Sequence, residues 1–197
     1  MPSIWVFVTD CGDSAVTLPL AALALFCLVA TRQRHLAFAW LLMVAGCAAA
    51  IGALKLWFGA CGSSIGIPAI VSPSGHTAMS VAIYGGLTLL IGATLRPAPR
   101  AATYAVAMML VVAIAISRLV LHLHDAAEVA VGLVTGLIAL TGFAVAMRGQ
   151  AVPESLAIRL LGWGLPVIVL MHGTRLMVEP ALNRVAGAFR LVLPWCG

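Results

Sequence analysis

The stretch Ser72-Pro73-Ser74-Gly75-His76-Thr77-Ala78-Met79-Ser80 is polar at its start and opens directly into an apolar run that extends to Leu95. Gly75 lets the backbone turn tightly and present its N–H group with no side chain in the way. Ser74, Gly75 and His76 are therefore predicted to lie at the N-terminus of a helix, where unpaired N–H groups and the helix dipole attract anions. This pattern predicts a phosphate site at a membrane surface, with His76 close enough to move a proton.

The composition around this stretch is typical of a membrane protein. The chain has 197 residues, of which 63% are hydrophobic and 9% charged, and its mean hydropathy is +1.13. A soluble domain of this size carries about 25% charged residues. We therefore expect an all-α polytopic membrane protein with a single domain over residues 1–197 and a core at about residues 14–172. No Lys or Arg precedes Arg32, so the first apolar run lacks the basic region of a signal peptide and is expected to stay as a helix.

The hydrophobic runs predict six transmembrane spans separated by short turns. The predicted spans are Ser14 to Ala30, Leu36 to Phe58, His76 to Leu95, Ala101 to Ile116, Glu128 to Met147 and Ser155 to Met171. Residues 1–13 are interpreted as a short leader, and residues 173–197 as a tail that is a candidate for an interfacial amphipathic helix. Gly132 and Gly136 form a small-xxx-small spacing, which predicts close packing of the fifth span against a neighbour.

Basic turns predict the orientation, because short loops rich in Lys and Arg stay in the cytoplasm. With six spans, three basic turns lie on the same side of the membrane, which is then the cytoplasmic side. They contain Arg32 and Arg34, Arg96 and Arg100, and Arg148. The phosphate site is then extracytoplasmic, which we expect to be the periplasmic face of a bacterial inner membrane. Three tail arginines run against this rule: Arg175, Arg184 and Arg190.

The same topology gathers ionisable and polar residues from three segments at the extracytoplasmic ends of spans two to five. They are Lys55, Ser74, His76, Arg118, His122, His124, Asp125 and Glu128. Ionisable groups at membrane depth are costly and are functional candidates by default. Basic residues elsewhere are spread singly over the loops, so the net charge of +5 predicts no nucleic-acid partner.

The order and spacing of these residues resemble the type 2 phosphatidic acid phosphatase (PAP2) superfamily, in its membrane lipid phosphate phosphatase branch. The pattern of that family is K-x6-R-P, then P-S-G-H, then S-R-x5-H-x3-D. Here Lys55 ends the second span, the stretch 73–76 reads P-S-G-H, and Ser117-Arg118 is followed by His124 and Glu128 at the family spacing. The resemblance covers about residues 10 to 172 and implies a six-helix PAP2-like bundle.

Two departures from the family pattern bear on the site. Glu128 stands where the family has Asp, so its carboxylate is one methylene further from the backbone. The first motif lacks its Arg-Pro, because Gly62 and Ser63 occupy those positions. The resemblance would make that arginine a phosphate ligand, so the site has lost one positive charge or recruits another residue, such as Arg175.

The resemblance implies a phosphatase that uses neither metal nor cofactor and works through a phosphohistidine. In that scheme His124 is the nucleophile, Glu128 orients its ring, and His76 is first the general acid and then the base for water. Four groups would hold the phosphoryl oxygens: Lys55, Ser74, the Gly75 N–H and Arg118.

The substrate implied is a lipid phosphate or pyrophosphate delivered from the bilayer, so the expected partners are that substrate and membrane lipids. Candidates are undecaprenyl pyrophosphate, phosphatidylglycerol phosphate, phosphatidic acid and a lipid A phosphate. The alternatives are a lipid phosphotransferase, a non-catalytic or transport member, and a metal-binding membrane protein. The last would use as ligands His76, His122, His124, Asp125 and Glu128.

Several of these residues also have structural interpretations. Lys55 is also typical of a side chain that extends to the membrane interface from a helix end. His122 falls outside the motif spacing and is interpreted as a neighbour of His124, not as a catalytic residue. Asp13-Ser14 has the pattern of a helix N-cap, which we favour over a place at the rim of the site. Two further pairings remain open: an Arg118–Asp125 salt bridge, and a disulfide among Cys11, Cys61 and Cys196.

Overall fold

Seven α-helices make up the computed structural model, which describes residues 4–61 and 72–174 together with positions 176 and 185. The helices are α1 (Ile4–Asp10), α2 (Ser14–Ala30), α3 (Arg34–Cys61), α4 (Gly75–Gly92), α5 (Pro97–Val120), α6 (Ala126–Ala146) and α7 (Glu154–Met171). No strand occurs in these residues. Six segments are long and apolar enough to cross a membrane, with α1 and α2 together forming the first, Ile4–Ala30. The chain is therefore an all-α integral membrane protein with six spans, as the sequence predicts.

The N-terminal leader is the main difference from the predicted spans. Residues 4–10, predicted as part of a short leader, form α1 and belong to the first span, and Thr9 and Asp10 of this helix are buried. Isolated helices of this length are marginal in water, so packing of α1 against α5 stabilises it more than its own propensity does. The predicted basic turn at 96–100 is also shorter, because α5 begins at Pro97, where the fixed φ of proline suits the first helical position.

Helix α4 lies at the centre of the bundle, and it is the helix that begins with the P-S-G-H stretch. Twelve of its 18 residues are buried, and it packs against α2, α3, α5, α6 and α7. The predicted close approach of the fifth span is confirmed. A Cβ at Gly132 would collide with the backbone carbonyl of Ser74, and one at Gly136 with that of Ala78. These two glycines therefore bring the start of α6 next to the start of α4.

A tryptophan in α3 joins three helices at the level of the core. The Trp40 Nε1–H donates to the carbonyl of Ala21 in α2 at 3.0 Å. The Trp40 ring also meets Phe143 of α6 edge-on, with ring centroids 5.4 Å apart. Both side chains are almost fully buried. Because lipid offers little hydrophobic drive for helix association, such specific packing and hydrogen bonding hold the spans together.

The cysteines divide into free thiols and a disulfide. Cys11, Cys27 and Cys47 are free, whereas Cys61 at the end of α3 is disulfide-bonded. Cys11 is therefore excluded from the disulfide predicted among three cysteines. Cys196 lies outside the described residues, as does most of the tail for which an interfacial helix is predicted.

Candidate functional site

The turn between α5 and α6 places His124. The carbonyl of Arg118, in the last turn of α5, accepts hydrogen bonds from Leu123 N at 3.0 Å and His124 N at 3.3 Å. The reversal passes through His122, which has a left-handed backbone with φ of 51° and an exposed side chain. This turn directs His124 inward, and its side chain is 3% exposed.

Glu128 fixes the ring of His124. Its Oε2 lies 2.8 Å from His124 Nδ1 and accepts a second hydrogen bond, from Asp125 N, at 3.3 Å. This contact agrees with the expectation that Glu128 orients the ring, but the two residues do not lie on one face of a helix. His124 precedes the helix, and Glu128 folds back from the first turn of α6 in the manner of a capping box. With Nδ1–H donated to Glu128, the lone pair of neutral His124 is on Nε2.

Burial lowers the pKa of His124 below its ordinary value. The hydrogen bond that His124 donates to Glu128 raises the pKa, while the positive charges of Arg118 and Lys55 add to the lowering. The net effect favours the neutral imidazole at physiological pH. A neutral ring is the form in which a histidine can act as a nucleophile.

The P-S-G-H stretch begins α4 as predicted. Ser74 is the N-cap, and its fully buried hydroxyl accepts hydrogen bonds from Thr77 N at 3.4 Å and Thr77 Oγ1 at 3.0 Å. The first hydrogen bond within the helix runs from Ala78 N to Ser74 O. The N–H groups of Gly75 and His76 therefore precede the helical ladder, at the positive end of the α4 dipole, and both residues are half-buried.

Lys55 extends from the last turns of α3 to the start of α4. Its Nζ donates to Ser72 Oγ at 3.0 Å, and a Cβ added at Gly75 would lie 3.7 Å from Lys55 Cε. The ammonium thus lies beside the α4 N-terminus. The departures in the first motif, Gly62 and Ser63, and the suggested substitute Arg175 lie outside the described residues.

Two residues near the N-terminus contact the predicted site, and the motifs do not include them. Arg118 Nη1 donates to Thr9 Oγ1 at 3.0 Å, and both residues are buried. Asp13 Oδ2 lies 3.4 Å from His76 Nε2. Asp13 is also the N-cap of α2, as its pattern predicts, because its Oδ1 accepts a hydrogen bond from Ala15 N at 2.8 Å. The N-cap interpretation is therefore right but incomplete.

The remaining members of the predicted cluster are less enclosed. His122 and Asp125 both have exposed side chains at the rim of the α5–α6 turn. Within the part of the chain that the structure describes, no group of three or more His, Cys, Asp or Glu side chains is arranged to hold a metal ion. The metal-binding alternative therefore receives no support from the described residues.

Comparison with known proteins agrees with this arrangement. Residues 59–151, which include the P-S-G-H stretch and the His124–Glu128 pair, match the PAP2 superfamily model. The chain is also 32% identical over 193 residues to a Klebsiella pneumoniae protein described as an uncharacterized 22.5 kDa protein in cps region. That similarity covers 93% of this chain and 90% of the relative. No solved structure matches the chain. By the family match, the spacing of its motifs and its six-span helical fold, this chain belongs to the PAP2 superfamily.

Proposed function

We propose that this protein is an integral membrane phosphatase that hydrolyses a lipid phosphate or pyrophosphate through a phosphohistidine at His124. The observation that carries the proposal is the His124–Glu128 pair, in which Nδ1 lies 2.8 Å from Oε2 while the ring is buried. A carboxylate that holds one ring N–H leaves the other nitrogen with its lone pair and stabilises the imidazolium that forms on attack.

The proposed reaction has two steps. His124 Nε2 attacks phosphorus, the bond from phosphorus to the leaving oxygen breaks, and His76 gives that oxygen a proton. His76 then removes a proton from water, whose oxygen attacks phosphorus and breaks the P–N bond. Inorganic phosphate leaves and neutral His124 is restored. The atoms and charges of the two steps therefore balance without a metal ion. Histidine suits these steps, because a neutral imidazole can act as a nucleophile and an imidazole can both donate and accept a proton.

Charge stabilisation is assigned to groups from three helices. Lys55 and Arg118 supply two positive charges, and the N–H of Gly75 adds the dipole end of α4. Ser74 acts mainly through its cap, because its buried hydroxyl already accepts two hydrogen bonds from Thr77. The second cation is an arginine, whose planar fork can bind two phosphoryl oxygens at once.

A lipid substrate is supported by an apolar groove on the bilayer-facing side of α3 and α6. The groove has a volume of about 810 Å³ and is lined on α3 by residues from Ala39 to Leu54 and on α6 by residues from Thr135 to Ala146. Its α3 wall is about 22 Å long at the helical rise of 1.5 Å per residue. Leu54 directly precedes Lys55, so a hydrocarbon chain in the groove would have its phosphate end near the cationic site.

The orientation remains part of the proposal. His35 and the arginines of the turns at 31–33, 93–96 and 147–153 lie at the ends of the spans opposite His124 and His76. Cytoplasmic loops carry the excess of Lys and Arg. We accordingly place the site at the periplasmic face of a bacterial inner membrane.

The deciding experiment measures phosphate release by the detergent-purified protein from phosphatidic acid, phosphatidylglycerol phosphate and undecaprenyl pyrophosphate in EDTA. We expect release that survives chelation and is lost in His124→Ala. His122→Asn is the matched control, since asparagine tolerates the left-handed backbone at that position and the side chain is exposed. Activity abolished by EDTA would refute metal-free chemistry. Phosphate appearing on an added lipid or sugar acceptor would identify a phosphotransferase, and no turnover of any lipid would indicate a non-catalytic member.

A further inference from the structure

We propose that the N-terminal segment, residues 4–13, is an integral part of this site, with Asp13 as the positioning residue of His76. The inference rests on the proposed function for its chemistry and on the geometry of the segment for its placement. The segment lies outside residues 59–151, which match the family model, and it contains none of the three motifs. Its contribution to the site is therefore a property of this chain that the family pattern does not include.

The carboxylate of Asp13 is held in place from several directions. Its Oδ1 accepts hydrogen bonds from Ala15 N at 2.8 Å and from Leu176 N at 3.2 Å. Its Oδ2 lies 3.4 Å from His76 Nε2. That separation is long for a hydrogen bond and within ion-pair range, and contacts of this kind often shorten when substrate binds. Asp13 is 7% exposed, so the oriented carboxylate faces His76 in a largely dry setting.

The segment itself is anchored to the central helices. Tyr84 of α4 donates its hydroxyl hydrogen to the carbonyl of Cys11 at 2.6 Å. A Cβ added at Gly12 would lie 2.7 Å from Ile114 and 3.0 Å from Ser80 Oγ, so the turn packs closely between α5 and α4. Thr9 receives a hydrogen bond from Arg118. The same short segment thus contacts both a proposed proton carrier and a proposed phosphate ligand.

The charges around the site explain why His76 needs a carboxylate partner. Among the residues that the structure describes, the other acidic, basic and histidine side chains at this end of the bundle are Asp10 on α1, Lys55 on α3, Arg118 on α5, His122, His124 and Asp125 in the α5–α6 turn, Glu128 on α6 and His172 after α7. Lys55 and Arg118 attract phosphate but disfavour a further positive charge, and Glu128 is already bound to His124. Asp13 offsets the two cations at His76. It also favours a proton on Nε2, which leaves Nδ1 as the nitrogen that exchanges a proton with the substrate.

Two substitutions separate these effects without removing the helix cap. Asp13→Asn keeps an acceptor of similar shape but removes the charge, whereas Asp13→Ser keeps an N-cap but withdraws the group from His76. Both residues are good N-caps, so α2 should be retained. Glu154→Gln, an exposed carboxylate in the first turn of α7 at the opposite end of the bundle, is the control for loss of one negative charge.

The kinetic readout compares a poor with a good leaving group. Dioctanoyl phosphatidic acid needs a proton on its leaving oxygen, whereas p-nitrophenyl phosphate does not. Both substrates are compared by kcat/KM, which reports phosphoryl transfer to His124 and not the later hydrolysis, in which His76 is the base for water. We expect kcat/KM for the lipid to fall about 10- to 100-fold in Asp13→Asn and further in Asp13→Ser. The kcat/KM for p-nitrophenyl phosphate should change little. His76→Gln should show the same selectivity, and adding Asp13→Asn to it should cause little further loss. Equal losses on both substrates would overturn the proposal.

A second readout does not require turnover, so it separates this inference from the proposed function. In ¹⁵N-histidine NMR spectra of the detergent-solubilised protein, neutral His76 should be mainly the Nε2–H tautomer. That preference should weaken in Asp13→Ser and persist in Glu154→Gln. An unchanged tautomer ratio in Asp13→Ser would contradict the positioning role even if the enzyme is active. A changed ratio in a protein that hydrolyses no phosphate would support the contact and refute only the phosphatase assignment.

Discussion

Ser72 N donates a 2.6 Å hydrogen bond to Glu128 Oε1, so the carboxylate that orients His124 also holds the start of the P-S-G-H stretch. The backbone adds a parallel link, because Ser74 N donates to Glu128 O at 3.1 Å. Glu128 therefore joins the start of the P-S-G-H stretch to the motif of His124 through residues that are more than fifty positions apart in the sequence. The extra methylene of Glu, compared with the Asp of the family pattern, gives the side chain the reach for this double contact from the first turn of α6.

Substitutions of Glu128 should separate two properties of its side chain: the charge that orients the His124 ring, and the length that lets it contact both His124 and Ser72. We expect Glu128→Gln to lower kcat by about two to four orders of magnitude, because an amide neither fixes the productive tautomer nor stabilises the imidazolium. Glu128→Asp keeps the charge but is too short to reach both His124 and Ser72, so its kcat should lie between those of Glu128→Gln and the unchanged protein. Steady-state kinetics on one lipid phosphate checks both. An Asp variant as impaired as the Gln variant would show that reach matters more than charge.

The pH–rate profile should reflect the lowered pKa of His124. In the proposed mechanism His124 must be neutral to attack, and a pKa below the ordinary value of about 6.5 means that the neutral form persists to lower pH. The acid limb of kcat/KM should therefore fall below pH 6.5, so the enzyme stays active in mildly acidic solution. Glu128→Gln removes the interaction that raises this pKa, so its acid limb should move to still lower pH. An acid limb above pH 6.5 that does not move in this variant would contradict the assignment of His124.

The polar cluster could be predicted because motif spacing and span topology both restrict where residues lie. Successive spans cross the membrane in opposite directions, so the end of one span and the start of the next lie at the same face. This rule alone predicts that Lys55, His76 and His124 lie at one face, before the packing of the helices is known. The role of Asp13 could not be predicted in the same way. Its spacing to Ser14 indicates a cap, but the contact with His76 depends on how α1 and the following turn settle on α4 and α5. That placement is tertiary and leaves no periodic pattern in the sequence.

Helix α1 was missed for a related reason. Its sequence from Ile4 to Asp10 is short and contains β-branched residues, which are poor helix formers. Its helical state depends on burial of Thr9 and Asp10 against the bundle. The sequence shows that Glu128 stands where the family pattern has Asp. It does not show that this side chain also binds Ser72 N, because that contact depends on how the starts of α4 and α6 pack together.

The approach of α6 to α4 should be intolerant of any side chain at Gly132. A methyl group there would collide with the backbone of Ser74, which cannot move without displacing the N-cap of α4. We expect Gly132→Ala to destabilise the protein by about 1–3 kcal/mol and to lower activity as well. Gly142→Ala is the control on the same helix, because a methyl group there would have no neighbour within 4 Å. Thermal unfolding in detergent should show a lower midpoint for the first variant only, and equal midpoints would disprove the close contact.

The groove between α3 and α6 makes a prediction about chain length. Gly46 lies within the groove, and a methyl group added there would have no neighbour within 4 Å, so Gly46→Leu should fill the groove without disturbing the fold. If the hydrocarbon chain of the substrate lies there, kcat/KM for dipalmitoyl phosphatidic acid should fall about tenfold or more, since loss of apolar contacts is worth 1–3 kcal/mol. The dihexanoyl analogue, too short to reach Gly46 from the site, should be hydrolysed as before.

Gly52→Leu is the matched control for this experiment. Gly52 is on the same helix and also has open space around it, but it does not line the groove. Bulk lipid covers the outer surface of every span, so a nonspecific effect of leucine on the detergent or bilayer contact should appear in both variants. A loss confined to Gly46→Leu and to long chains would place the substrate tail in the groove. Equal behaviour of the two variants, or equal loss on both substrates, would mean that the groove holds ordinary membrane lipid and that specificity is decided at the phosphate end.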